Sequence, residues 1–109
     1  MSSRFVNTHR DVSYSNGTVS LHSHQYIEIL YCRTSVGVEY LIGSNRYRLQ
    51  KGDIVFVPPG VSHRPILPEK LTAPYERDVL WVRGLPGALA PESSGSLIAQ
   101  VITQWIKEK

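Results

Sequence analysis

Apolar and polar residues alternate along this chain in short runs cut by glycine and proline. That is the pattern of an all-β barrel or sandwich. Asn16-Gly17, set between Val12-x-Tyr14 and Val19-x-Leu21, signals a two-residue hairpin. A second hairpin is expected from residues 38–42 through Gly43-Ser44-Asn45 to residues 46–49. Lys51-Gly52-Asp53 reads as a turn into a strand at 54–57, whose unbroken apolar run predicts cover on both faces. Pro59-Gly60 suits the centre of a type II turn, with proline fixing φ and glycine accepting a positive one. Beyond a proline-rich connection from Pro65 to Pro74, residues 75–82 form a further strand. On it Tyr75, Arg77, Val79 and Trp81 share one face, and Glu76 and Asp78 the other.

The period changes at the end. Leu97, Ile98, Val101, Ile102 and Trp105 make a helical stripe. Glu92 and the serines at 93, 94 and 96 favour its start, and Lys107 and Lys109 its end. The stripe reads either as a core face folded back on the barrel or as part of an interface with a second subunit. Residues 4–11 carry no periodicity, and His9 in that stretch is expected to be exposed.

The chain has 109 residues, 41% apolar and 19% charged, which bounds it to one folded domain and excludes disorder. No apolar run is long enough to span a membrane and no signal peptide is read. The single cysteine, Cys32, makes neither an internal disulfide nor a zinc knuckle, so a reducing cytoplasm is the expected location. The net charge of +3 is spread among acids rather than clustered, which argues against direct nucleic-acid binding.

Candidate chemistry gathers on histidines. His22 and His24 are two apart, so on a strand both imidazoles project from one face and can share a cation. Glu28 follows, and His63 arrives just past the proline–glycine turn. Three histidines and a carboxylate suit zinc, nickel, iron or manganese. One geometric demand follows. On a straight strand His24 and Glu28 would lie roughly 13 Å apart, too far to share a metal, so the backbone must bend within Gln25-Tyr26-Ile27.

These residues carry a resemblance. Gly52-Asp-Ile-Val-Phe-Val-Pro58-Pro-Gly60-Val-Ser-His63 is similar to the second cupin motif, and His22-Ser-His24-x3-Glu28 to the heart of the first. Over residues 21–82 the wording most resembles the N-terminal effector-binding and dimerisation domain of AraC-type transcription regulators. The resemblance implies a cupin double-stranded β-helix, a jelly-roll barrel, with an N-terminal arm within residues 1–90 that closes over effector. It implies that the C-terminal helix, residues 91–109, begins a dimerisation segment. It also implies a sugar or carboxylate effector in the barrel, a homodimer, and DNA contact only through a helix-turn-helix domain that this chain lacks, the chain being a piece of a longer regulator.

Two departures from the motifs are visible. Leu67 stands where the second motif usually ends in asparagine, and Gly17 lies five residues before the first histidine rather than six. The loss of the polar end counts against catalysis, so no enzyme activity is expected. The rival is a small metal-dependent cupin enzyme, a dioxygenase or sugar isomerase, with His22, His24, Glu28 and His63 as its ligands. In the plainer alternative these four side chains line a polar pocket without metal. Arg77 likewise has two readings. Facing inward it favours a carboxylate or sugar ligand; at the surface it pairs with Glu76 or Asp78 of a neighbouring strand. The six tyrosines either stack on a sugar ring or pack the strands.

Overall fold

The computed structural model describes residues 6–15, 21–83 and 91–109, with residues 91–98 as backbone alone. Along the described chain run β1 (Val6–Ser13), β2 (Ile27–Cys32), β3 (Glu39–Ile42), β4 (Asn45–Arg48), β5 (Ile54–Val57), β6 (His63–Ile66), β7 (Tyr75–Val82) and α1 (Pro91–Lys107). The strands form two antiparallel sheets, ordered β1-β7-β2-β5 and β4-β3-β6. The architecture is the all-β cupin class with a terminal helix.

Side-chain alternation decides what each strand gives to the interior. Leu30 and Cys32 on β2, Val55 and Val57 on β5, and Tyr75 and Val79 on β7 point between the sheets. There they meet Val38, Tyr40, Leu49 and Leu67. The opposite set on the larger sheet, Ile29, Leu80 and Val82, faces outward and is covered by Trp105 of α1, with Val101 and Ile102 alongside. The described part of the helical stripe thus packs on its own barrel. Trp105 is buried, and its indole Nε1 donates to Thr8 Oγ1 at 3.0 Å. Truncating so large a buried side chain costs ~3–5 kcal/mol. Leu97, Ile98, Glu92 and the serines of the first turns lie outside the described side chains.

Four expectations are corrected. Ile54 and Phe56 of β5 are exposed, so that strand is not covered on both faces. Its position explains this: β5 is the edge strand farthest from β1, and among the described side chains α1 packs on Val6 and Thr8 of β1 and on outer residues of β2 and β7. Of residues 4–11, read as a stretch without periodicity, the described part, 6–11, belongs to a full strand paired with β7 from Val6↔Val82 to Ser13↔Tyr75. His9 on β1 is only half-exposed, its ring edge-on to Trp81 at 4.7 Å between centroids. Its Nδ1 is 2.9 Å from Asn7 Oδ1, and its Nε2 is 3.3 Å from Asp11 Oδ2. The hairpin at Asn16-Gly17 lies outside the described residues. The second hairpin forms, but with two central residues: Ile42 pairs with Asn45, and Gly43 has φ 58°. A positive φ at the first central position alone is the type II′ pattern.

Outward-facing Asp78 is 6% exposed. Arg10 Nε donates to one of its oxygens at 2.8 Å, while Arg33 Nη1 at 3.1 Å and Lys109 Nζ at 3.2 Å reach the other. Burial alone would raise the Asp78 pKa. Hydrogen bonds from Arg10 and Lys109 outweigh it and hold the carboxyl below its ordinary range. Lys109 also lies 4.1 Å from the centre of the Trp105 ring, so the same cation ties the end of the chain to both its helix and β7.

Candidate metal centre

The bend that shared ligation demands is present. The chain bends at Gln25-Tyr26 and enters β2 only at Ile27. His22 is held beforehand by a backbone bridge to His63, with His63 N donating to His22 O at 2.8 Å and His22 N to His63 O at 3.2 Å. The type II corner completes the clip: Gly60, at φ 79°, donates its N–H to the His24 carbonyl at 2.7 Å. Backbone bonds alone therefore bring the early and late histidines to one end of the barrel.

One ligand nitrogen from each of His22, His24 and His63 lies within 4.8 Å of the others. A cation ~2.0–2.1 Å from each imidazole needs nitrogens roughly 3–4 Å apart, so the set closes by small side-chain rotations. The tautomers favour it. His24 Nδ1 is 3.0 Å from the Tyr26 carbonyl and His63 Nδ1 is 2.9 Å from the Val61 carbonyl. A carbonyl only accepts, so each Nδ1 carries the proton and each Nε2 presents a lone pair. Those two Nε2 atoms are buried and have no hydrogen-bond partner among the described residues. They converge on Glu28, at 3.4 Å from Oε1 for His24 and 3.5 Å from Oε2 for His63. Burial pushes the His63 imidazole below its ordinary pKa, toward the neutral form that ligates.

Glu28 is itself positioned. It is 6% exposed, and accepts from Trp81 Nε1 at 2.7 Å and from Tyr40 Oη at 3.3 Å. Burial, followed by the nearby Glu28 charge, pushes the Tyr40 phenol well above its ordinary pKa, so it stays a donor. Tyr26 stacks flat on His24, 3.8 Å between centroids, and fixes that ring from outside. Trp81, Tyr40 and Tyr26 were not singled out as site residues by sequence. The one available signal was that Trp81 shares the Arg77 face.

Beside this cluster is a cavity of about 230 Å³, lined among others by Asp11, His22, Glu28, Tyr40, Arg77 and Trp81. Arg77 lies on this inner face rather than at the surface, and Asp78 takes the outer partners instead. Leu67, where the family motif has asparagine, is buried in the core between the sheets. It is a packing residue here.

An antiparallel two-sheet barrel with three histidines gathered at one end defines a class of small β-barrel domains with a candidate metal site. The chain belongs to the cupin family: the cupin domain model matches residues 12–82. Among solved structures it is similar to a cupin 2 conserved barrel domain protein from Salinispora arenicola, with 22% identity and a TM-score of 0.60. That match covers 71% of this chain and 62% of the other. It is also similar to DMSP lyase from Ruegeria pomeroyi, with 26% identity and a TM-score of 0.62, over 73% of this chain and 39% of that one. A predicted oxalate decarboxylase from Thermotoga maritima matches at 20% identity and a TM-score of 0.60, covering 69% and 64% of the two chains. This chain thus spans less than two thirds of each of these three relatives. No curated protein matches the sequence. No helix among the described residues is long and apolar enough to cross a membrane.

Proposed function

We propose that this cupin domain holds one divalent transition metal on His22, His24, Glu28 and His63 and takes a small effector beside it. The observation that carries the reading is the pair of buried, unpartnered Nε2 atoms of His24 and His63, each aimed at Glu28 by a backbone-bonded Nδ1. Unpaired buried polar atoms are costly, and a cation removes that cost. The donor set suits zinc, nickel, iron or manganese. When bound, such an ion would polarise a ligand oxygen in the adjoining cavity.

The use we propose for the pocket is sensing, as in the AraC-type regulators that residues 21–82 resemble. Supporting this, β7 offers Arg77 and Trp81 to the cavity and Leu80 and Val82 to the helix on its other side. A ligand that binds one arrangement of β7 and α1 more tightly than another shifts their balance. A second copy of the chain, and a DNA-binding domain outside it, belong to the same proposal. The competing reading is a metal-dependent enzyme. It is favoured by the three gathered histidines, with Glu28 beside two of them, and by the similarity to DMSP lyase.

Purification without chelator, followed by elemental analysis, tests the metal. Incubating the metal-loaded protein with small sugars and acids, followed by NMR, then separates the uses. A ligand bound and recovered unchanged supports sensing, and a consumed one supports the enzyme. Protein that takes up no metal at any ratio overturns the central reading.

A further inference from the structure

Granted the metal-centred pocket proposed above, Arg77 narrows the chemistry of its ligand. The Arg77 side chain is 12% exposed and lines the cavity together with Glu28, His22 and Tyr40. One arm of the guanidinium is committed: Nη1 donates to Ser13 Oγ at 2.8 Å and to the Tyr75 carbonyl at 3.2 Å. The Tyr75 ring lies against its face, 4.6 Å from Cζ to the ring centre. These contacts fix the plane of the group. The other edge, Nε with Nη2, makes no hydrogen bond among the described residues.

Asp11 does not fill that edge. Its Oδ2 is 3.9 Å from Nη2, beyond hydrogen-bond reach, and lies closer, at 3.3 Å, to His9 Nε2. The result is a largely buried cation, held in place, with a two-donor edge that faces a carboxylate at 3.9 Å but makes no hydrogen bond among the described residues. A carboxylate fits such an edge with two parallel N–H···O bonds, whereas a sugar hydroxyl supplies no charge. At about 230 Å³ the cavity is below the size that takes drug-like molecules, so the ligand is short.

We propose that the pocket takes a small carboxylic acid. Its carboxylate docks on the Nε–Nη2 edge of Arg77, and a second oxygen is directed toward the His22, His24, Glu28 and His63 cluster.

The test is calorimetric titration of the metal-loaded protein with glycolate and malonate, against glycolamide and malonamide, with arabinose as a neutral control. The acids are expected to bind at least about tenfold more tightly than their amides. Arg77→Gln and Arg77→Lys should both abolish that preference at unchanged metal content, because lysine keeps the charge but not the fork. Acids binding both variants as they bind the parent overturn the inference and leave the metal reading intact. Arabinose binding without any acid binding does the same. Failure of the parent protein to load metal defeats the underlying reading instead. Should Arg77→Gln not fold, by circular dichroism, the acid–amide comparison on the parent and the lysine variant still decide the outcome.

Discussion

Glu28 and Trp81 are direct partners across the β2–β7 pair, and the indole Nε1 donates to the carboxylate at 2.7 Å. A carboxylate fixed this way keeps its free lone pairs aimed at the histidines. Trp81→Phe retains the ring and removes the donor. Metal affinity is expected to fall about 10–100-fold, the usual effect of losing a partner that orients a ligand. Competition against a chelating dye measures it. Unchanged affinity would mean that Glu28 is held without the indole.

His63 is fully buried and carries one of the two unpartnered nitrogens. A metal that binds only the folded state raises the melting temperature, by the equivalent of about 2.7 kcal/mol when present at a hundred times its Kd. Chelator should therefore lower the melting temperature of the metal-loaded parent and leave His63→Ala and His24→Ala unmoved. Equal chelator shifts in all three proteins would place the metal elsewhere.

Asp78 bears on stability rather than on the site. Its pKa is depressed in the folded state, so its contribution is present in full above the unfolded value of 3.8 and is lost as pH falls through the lower folded one. Asp78→Asn is expected to cost ~1–3 kcal/mol at pH 7, since it leaves Arg10, Arg33 and Lys109 without their shared carboxylate. That deficit should shrink progressively below about pH 4. Urea unfolding at pH 7, 4 and 3 checks it, and a deficit independent of pH would contradict the argument.

Exposed Phe56 offers a contrast. It is half exposed on the outer face of β5, where no described side chain of α1 packs on it, so Phe56→Thr should change stability by no more than about 0.5 kcal/mol. A loss of several kcal/mol in chemical denaturation would show that this face is covered in solution.

How far the sequence speaks is plain from these positions. The strand at 75–82 and the hairpin were legible from their strand-forming runs and turn residues, though the turn expected at Gly43-Ser44-Asn45 is one residue shorter. The helical stripe ending at Trp105 was legible from its apolar period. The grouping of His22, His24 and His63 was legible from spacing and motif, down to the bend required before Glu28. β1 was not. Its inward positions, Asn7, His9, Asp11 and Ser13, are polar: Asp11 lines the cavity, Ser13 bonds Arg77 and His9 packs on Trp81, so the usual apolar alternation is missing. The error at β5 has the opposite origin. Four apolar residues announce burial, but the sheets cover only the Val55 and Val57 face, and the described side chains of α1 pack elsewhere on the outer one. The support of Glu28 by Trp81 depends on cross-strand register, which no single segment encodes.

The backbone clip between the two histidine segments carries one more consequence. With the Gly60 amide on the His24 carbonyl and the His22–His63 bridge in place, donor spacing is set by main-chain bonds formed during folding. Capturing an ion then asks for little further ordering. The empty protein should already be preorganised, and its far-ultraviolet spectrum should be indistinguishable from that of the loaded form.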